Sequence, residues 1–162
     1  MRQSTGIPGF VTIYNMQKGI NGMSKVAVVF WSATGNTEAM ADAVAAGAEK
    51  AGAEVSKLTS AEFGPADVAG FDGIAFGCPA MGAEVLEEDE FQPMWDDVKR
   101  KLGGKKVGLF GSYGWGGGEW MNSWAEDAKM SGVALSADPV IANEAPDDDA
   151  VAACEALGAA IA

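Results

Sequence analysis

Short apolar runs alternate with helix-like segments along most of this chain, and the alternation limits the possible folds more than any other feature. Residues 25–31 (KVAVVFW) form a continuous apolar run, which is typical of a strand covered on both faces. Residues 38–51 then place apolar side chains at helical spacing, and Gly52 is positioned to cap the C-terminus. Five alternations of strand and helix predict an α/β domain with a doubly wound parallel sheet.

The later units follow the same pattern. Further strands are predicted at residues 54–59, 72–77, 105–111 and 133–142. The clearest helical stripe is formed by Phe91, Met94, Trp95, Val98 and Leu102. Similar stripes predict helices at residues 120–128 and 151–161. A chain of 162 residues with this pattern fits one globular domain.

The charge and the missing residue types limit the partners and the chemistry. The chain has 23 acidic and 11 basic residues, and its net charge of −12 argues against nucleic acid or an anionic membrane and favours basic partners. Histidine is absent, which removes the commonest general base and zinc ligand. Cys78 and Cys154 lack metal-ligand spacing and indicate a reducing cytoplasm. We expect a monomer without a metal site or catalytic residues.

Residues 1–23 differ from the rest of the chain. They contain no apolar block of signal-peptide length and no helical or strand period. We expect them to be a disordered extension, or an artefact of start-site choice with Met23 as the true start. Residues 24–162 would then form the domain, and the intact mass of the protein from its native source would distinguish the two possibilities.

Three loops of unusual composition follow predicted strands, at the sheet edge where ligands bind in such folds. The first, residues 32–37 (SATGNT), places three hydroxyls and one amide before a helix. Hydroxyls and helix-terminal N–H groups suit a phosphate dianion, and because the lysine of an NTPase loop is missing, a phosphate monoester is favoured. The alternative is that these residues only cap the helix, which Thr37 or Asn36 could do alone.

The other two loops contain flat or polarisable side chains among small residues. The second has Met81 and Gly82 directly after a strand, followed by Glu84, and the third holds Trp115 among glycines. Taken singly, Met81 and Gly82 are explained by packing and turn formation, whereas Trp115 either lies over the sheet end or is exposed for a planar partner. Together with the first loop, they predict a site for a flat heterocycle that carries a phosphate.

The three loops resemble those of short-chain flavodoxins, and of the clostridial group in particular. The motifs are SATGNT, AMGAEVLEEDEF and SYGWGGGEW, and the resemblance extends from Lys25 to about Ile161. It implies the flavodoxin-like α/β fold, with a doubly wound five-stranded parallel sheet in the order 2-1-3-4-5 and helices on both faces. It also implies noncovalently bound FMN and a low-potential carrier that shuttles single electrons between redox proteins.

The resemblance also implies a role for each matching position. Met81 and Trp115 would cover the two faces of the ring, and Glu84 would accept a hydrogen bond from the ring N3–H. The peptide between Gly82 and Ala83 would turn on reduction, which would give Ala83 a positive φ. The implied cofactor-binding set, in which residues 32–37 hold the phosphate, is Ser32, Ala33, Thr34, Gly35, Asn36, Thr37, Ala80, Met81, Gly82, Ala83, Glu84, Ser112, Tyr113, Gly114, Trp115 and Gly116.

The resemblance also implies roles for residues that border the flavin site. Asn143 and Glu144 would approach it from the fifth strand, and the acidic residues 87–90 would lie on the surface and dock a basic partner. The alternative for the acidic run is a solvated face without a partner. The sequence departs from the clostridial pattern at Ala83 and Gly117, positions that are often acidic in those relatives.

Other functions share parts of this pattern. An FMN-dependent NAD(P)H or quinone reductase of the same fold would need a substrate pocket and a nicotinamide site, for which no segment is spare. A phosphoacceptor regulator would need an aspartate after the third strand, where Gly77, Cys78 and Pro79 stand. A purely structural module would not need the first loop.

Overall fold

Five parallel strands form one sheet in a computed structural model that describes residues 23–162. The strand order is β2-β1-β3-β4-β5, which confirms the predicted topology. The strands are β1 (Lys25–Phe30), β2 (Glu54–Thr59), β3 (Gly73–Gly77), β4 (Lys106–Tyr113) and β5 (Val140–Asn143). The helices are α1 (Asn36–Lys50), α2 (Phe91–Val98), α3 (Glu119–Met130) and α4 (Asp148–Ile161). The expectations for residues 1–22 lie outside the described residues.

The three inner strands β1, β3 and β4 are buried on both faces, as central parallel strands require, whereas the edge strands β2 and β5 are partly exposed. In β1, Ala27 and Val29 enter one core while Val26 and Val28 enter the other. Helices α2 and α3 cover the first core, and α1 and α4 cover the second. The loops that follow the strands therefore meet at one exposed edge of a rigid, two-sided scaffold.

Glycine ends two helices in the way predicted for Gly52. Gly52 has a φ of 97°, and its N–H and that of Ala53 donate to the carbonyls of Glu49 and Ala48. These two bonds form a Schellman motif, which satisfies the last carbonyls of α1. Gly132 ends α3 with the same pair of bonds. No helix in residues 23–162 has both the length and the apolar character needed to span a membrane.

Helices α1 and α4 pack with their backbones in contact. A Cβ atom on Gly158 would overlap with the carbonyl oxygen of Val44, and one on Gly47 would overlap with the carbonyl oxygen of Glu155. Both glycines are therefore required by close approach of the two helices rather than by an unusual φ. Because the first loop leads directly into α1, this contact fixes one wall of the candidate site.

Two predicted elements differ from the observed ones by more than three residues at one end. The fifth strand begins at Val140 rather than at residue 133, and the preceding segment pairs with β4 only at one isolated bridge, between Leu135 and Val107. The chain between Leu135 and Val140 is longer than the matching stretch of β4, and Pro139 has no N–H to donate, so regular pairing is interrupted. The stripe that ends at Leu102 belongs to an α-helix only as far as Val98, after which a 3-10 turn carries Leu102 into the core.

Candidate functional site

A cavity of about 370 Å³ opens at the edge where the strands end. It brings together three loops that are far apart in the sequence, together with a fourth loop after β5. The residues that line it are Ser32, Ala33, Thr34, Asn36, Thr37, Pro79, Ala80, Met81, Ser112, Tyr113, Gly114, Trp115 and Glu144. Most of the predicted set is therefore present, and the exceptions are Gly35, Gly82, Ala83, Glu84 and Gly116.

The first loop forms a neutral cradle at the N-terminus of α1. The Ser32 hydroxyl oxygen accepts from the N–H groups of Gly35 (3.2 Å) and Glu38 (3.3 Å), so capping is performed by Ser32 rather than by Thr37 or Asn36. Thr34 is exposed at this end of the cavity, and none of the described residues that line the cavity is basic. Hydroxyls, the Asn36 amide and helix-terminal N–H groups are thus the available donors, which suits an anionic group of phosphate size.

Ser112 ties the loops together through all three of its polar groups. Its N–H donates to the hydroxyl of buried Thr37 (3.4 Å), and its carbonyl accepts from the N–H of Ala80 (3.0 Å). Its hydroxyl donates to the carbonyl of Glu144 (2.7 Å). One buried serine at the end of β4 therefore links the first, second and fourth loops to the third.

The second loop is a tight hairpin. Met81 and Val85 exchange two backbone hydrogen bonds of 2.8 and 2.9 Å, and Met81 lines the cavity. The positive φ angles in this hairpin fall on Gly82 (48°) and Glu84 (57°), not on Ala83. The expected positive φ of Ala83 on reduction stays a prediction, since it concerns a change of state.

Glu84 faces the start of α3 rather than the cavity. Its Oε1 accepts from the N–H of Glu119 (2.9 Å), and its carboxylate occupies the space that a Cβ on Gly116 would need. This contact joins the second loop to the N-terminus of α3, where a negative charge is favourable. The role of Glu84 toward the ring N3–H stays a prediction.

Trp115 makes a second connection between the same two loops. Its indole Nε1 donates to the carbonyl of Gly82 (3.2 Å), and 53% of the residue is exposed to solvent. Trp115 and Met81 both line the cavity, and the roles toward the two ring faces that the resemblance implies for them stay a prediction. Cys78 is buried beneath the second loop, and burial raises the pKa of its thiol to about 12, so it is a packing residue and not a reactive thiol.

One part of the acidic run was wrongly expected at the surface. Glu87 is only 7% exposed, and its carboxylate accepts from the N–H groups of Asp89 (2.9 Å), Glu90 (2.8 Å) and Phe91 (2.8 Å). Burial raises the pKa of Glu87, but these three donors outweigh it and hold the pKa below the usual carboxyl value. Glu87 therefore anchors the start of α2, whereas Glu88, Asp89 and Glu90 are exposed.

Sequence reasoning missed one lining residue and placed another only at the margin. Pro79 lines the cavity, and nothing in its type or spacing signalled a ligand contact. Glu144 reaches the cavity as the resemblance implied, whereas Asn143 instead donates its amide to the carbonyl of Tyr113 (3.4 Å).

The cavity combines hydrogen-bond donors that suit a phosphate with the flat side chain of Trp115 and the polarisable side chain of Met81. FMN carries both a phosphate and a flat ring, so the lining residues fit it. The fold and the site thus define a class, namely α/β proteins that hold a phosphorylated flat cofactor at the carboxyl edge of the sheet.

The chain belongs to the flavodoxin family, whose sequence model matches residues 28–157. A flavodoxin from Megasphaera elsdenii is 46% identical over 137 residues, which cover 85% of this chain and 98% of that protein. A flavodoxin from Clostridium beijerinckii is 41% identical over 121 residues, covering 75% and 88%. The solution structure of the two-electron reduced Megasphaera elsdenii flavodoxin aligns with a TM-score of 0.77, covering 84% of this chain and 97% of that one.

These similarities confirm the predicted family and fold. They also confirm FMN as the cofactor and one-electron transfer as the function of the chain. A reductase of the same fold is less well supported, because the two curated relatives described above are flavodoxins matched over most of their length.

Proposed function

We propose that this protein is a low-potential electron carrier that holds FMN in the cavity at the carboxyl edge and has no catalytic residues of its own. The phosphate would lie against residues 32–37, and the ring would lie between Met81 and Trp115. The observation that carries this proposal is that the first loop, which offers neutral donors for an anion, meets the Met81 and Trp115 side chains in one cavity. Bound FMN would supply the one-electron chemistry, while the chain orients it and shields it from water.

Each loop has a separate part in this arrangement. The N-terminus of α1 and the Thr34 hydroxyl would donate to the phosphate, with Ser32 keeping the loop in shape through its two N–H contacts. Thr37 would donate its hydroxyl proton to the phosphate, since its oxygen already accepts from Ser112. The Trp115–Gly82 and Glu84–Glu119 contacts would hold the second and third loops at a fixed distance. Residues 24–162 would contain the whole FMN-binding domain.

Loss of either threonine hydroxyl is expected to weaken FMN binding. Thr34→Ala and Thr37→Ala should each reduce the FMN affinity by about 1 to 3 kcal/mol, the cost of leaving a charged acceptor without a donor. Quenching of flavin fluorescence on titration with FMN-free protein measures this affinity. Riboflavin is the matched control for Thr34→Ala, because it lacks the phosphate and should bind this variant and the unchanged protein equally. If riboflavin bound the unchanged protein as tightly as FMN does, the cradle would have no role.

The partner would be a basic redox protein that approaches the edge where the cavity opens. Helices α2 and α4 begin there, and Glu88, Asp89 and Glu90 precede α2 as exposed carboxylates. Lys25 begins β1 and Lys106 begins β4, so these cations lie at the opposite edge. This separation of charge would orient the protein in the field of a basic partner. We further propose that it acts as a monomer in the cytoplasm, where Cys78 and Cys154 remain free thiols.

Salt should slow electron transfer to a basic acceptor. With a basic c-type cytochrome as the model acceptor, the second-order rate constant is expected to fall by about tenfold or more between roughly 20 and 500 mM salt, because screening removes the attraction. A stopped-flow series at several ionic strengths measures it. Replacing Glu88, Asp89 and Glu90 together with their amides should flatten the salt dependence. A rate constant that does not change with salt would contradict the proposed surface.

A further inference from the structure

The outer edge of β5 is unpaired. This strand lies at one end of the sheet and pairs with β4 alone among the described residues. The N–H of Glu144 donates to the carbonyl of Tyr113 in β4 (2.8 Å), and the backbone polar groups of a strand point to alternate sides from one residue to the next. The N–H and carbonyl groups of Ile141 and Asn143 therefore point away from β4, and no backbone hydrogen bond to them is present within residues 23–162. Such an edge is a template with which another extended segment can pair.

A groove runs beside this edge, between β5 and α4. It consists of two cavities of about 460 and 340 Å³, which are continuous because Val140, Ile141 and Ala153 line both of them. Val140 is buried beneath α4, whereas Ile141 lies on the opposite face of the strand and is 38% exposed. Because residues of both faces line the groove, it extends round the free edge of β5. Its α4 wall contains Ala150, Ala153 and Ala156, whose small side chains leave room for a second backbone.

The charged residues that line the groove are all acidic. Asp138 lies just before β5, and Asp147 and Asp149 lie at the start of α4, so negative charge is present at both ends of the strand. All three are exposed, and none of the described residues that line the two cavities is basic. A mostly apolar groove with acidic ends is complementary to an extended segment that is apolar in its centre and basic on both sides.

The groove leads to the edge where the flavin cavity opens. Asn143 ends β5 and lines the groove, and the next residue, Glu144, lines the flavin cavity. A partner that docks at this edge is therefore within reach of the groove. At the other end Pro139 has no N–H, which limits pairing to the stretch from Ile141 to Asn143. So short a ladder gives a weak contact, which suits an electron carrier that must leave its partner after each transfer.

We infer that the groove binds an extended basic segment of the redox partner, which adds to the free edge of β5 as a sixth strand. The backbone groups of Ile141 and Asn143 pair with that segment, and Asp138, Asp147 and Asp149 attract its basic side chains. This inference rests on the basic partner proposed above. It adds a contact surface that is separate from the FMN-binding residues and that would orient the partner during electron transfer.

Hydrogen exchange at single amides tests strand addition directly. The probe is the peptide Lys-Lys-Val-Ala-Val-Lys-Lys with both ends blocked, added to the FMN-loaded full chain and followed by NMR measurement of amide exchange with water. At a peptide concentration of roughly ten times its Kd, exchange at Ile141 and Asn143 should slow by about tenfold, because only the unbound fraction exchanges. The amide of Ala142 faces β4 and is the internal control, which should change by less than about twofold. Unchanged exchange at Ile141 and Asn143 would contradict the inference, even if the peptide bound elsewhere.

Ile141→Pro separates backbone pairing from attraction by charge. It removes an N–H at the free edge without removing a hydrogen bond to β4, so the Kd of the peptide should rise by about 3- to 10-fold, the effect of one hydrogen bond. Ile141→Val keeps the N–H and should change the Kd by less than about twofold. Because Ile141 does not line the flavin cavity, an unchanged FMN affinity shows that the sheet of each variant is intact. Equal peptide binding by the two variants would mean that charge alone holds the peptide, and strand addition would be wrong. If Ile141→Pro does not fold, the exchange rates of the unchanged protein decide.

A pair of substitutions tests the acidic ends of the groove. Asp138→Asn combined with Asp149→Asn should raise the Kd of the peptide by about 2- to 10-fold at low salt. Asp97→Asn combined with Glu126→Gln is the matched control, since it removes two exposed carboxylates outside the groove and should change the Kd by less than about twofold. Equal effects of the two pairs would mean that only net charge matters, and a basic occupant of this groove would be contradicted.

Exchange in the absence of the peptide identifies other occupants. Slow exchange at Ile141 and Asn143 that depends on protein concentration would place a second copy of the chain on the edge, and slow exchange at every concentration would place another segment of the same chain there. Either result would overturn the inference. Electron transfer to the basic cytochrome that slows with salt, without protection of the edge by the peptide, would remove the groove contact and leave the basic partner. Protection with a salt-independent rate would instead remove the acidic docking surface at the cavity and leave the groove.

Discussion

Replacing Gly158 with alanine is expected to lower the free energy of unfolding by about 3 kcal/mol or more. The added Cβ would overlap with the carbonyl oxygen of Val44 and lie 2.7 Å from the backbone nitrogen of Ala48. Overpacking a well-packed core by flexible side chains costs about 1 to 3 kcal/mol, and backbone atoms of a helix relax less than side chains do. The two helices would have to separate for the variant to fold.

Urea unfolding of the FMN-free protein, followed by circular dichroism, measures this loss without the added stability of a bound ligand. Gly103→Ala is the matched control, because nothing lies within 4 Å of the position of its Cβ and its φ is not positive. A loss below about 1 kcal/mol for Gly158→Ala would mean that α1 and α4 tolerate separation. Because α1 carries the first loop at its N-terminus, the same variant should also bind FMN more weakly.

The fold could be predicted from the sequence because local pattern and long-range packing agree over most of the chain. The run from Val26 to Phe30 is apolar at every position because both faces of β1 are covered, so the sequence pattern and the observed burial agree. The start of β5 was predicted wrongly for the opposite reason. The composition of residues 133–139 suits a strand, but these residues pair with β4 only at Leu135. The chain from Leu135 to Val140, which includes Pro139, is longer than the matching stretch of β4 and so leaves the regular pairing.

The cavity could be predicted in outline because its residues follow strands of a parallel sheet, and those ends must meet. The directions of the individual side chains could not be predicted from the sequence. Glu84 and Glu144 are both glutamates with positive φ in loops at the same edge, yet Glu84 turns toward α3 and Glu144 lines the cavity. That difference depends on which backbone N–H and carbonyl groups of other loops hold them, and no local pattern in either segment encodes those contacts.

The acidic run at residues 87–90 also contains one side chain, that of Glu87, whose direction could not be predicted from the sequence. Four consecutive acids at residues 87–90 have the composition of a solvated surface, and three of them are exposed. Glu87 alone turns inward, because its carboxylate reaches the N–H groups of residues 89, 90 and 91 at the start of α2. Its own N–H meets the sulfur of buried Cys78 (3.4 Å), so it also joins α2 to the strand end beneath the second loop.

Glu87→Ala is therefore expected to destabilise the protein by about 2 to 3 kcal/mol at pH 7, since three donors lose a charged acceptor at once. Glu88→Ala is the matched control: its carboxylate is exposed, and a change of about 0.5 kcal/mol or less is expected. Urea unfolding of the FMN-free proteins gives both values. A similar loss in the two variants would mean that the run acts only through its total charge.

The pH dependence of this loss tests its cause. Because the pKa of Glu87 is lower in the folded protein than in the unfolded chain, its charge contributes stability that is complete above the unfolded carboxyl pKa of about 4.3. That contribution is lost as the pH falls through the lower, folded pKa. Glu87→Gln, which keeps the shape but never ionises, should thus be less stable than the unchanged protein at pH 7 and approach it below about pH 4. Equal stability of the two proteins between pH 7 and pH 3 would show that the shape of the side chain and not its charge anchors α2, and Glu87 would then be a packing residue beneath the second loop.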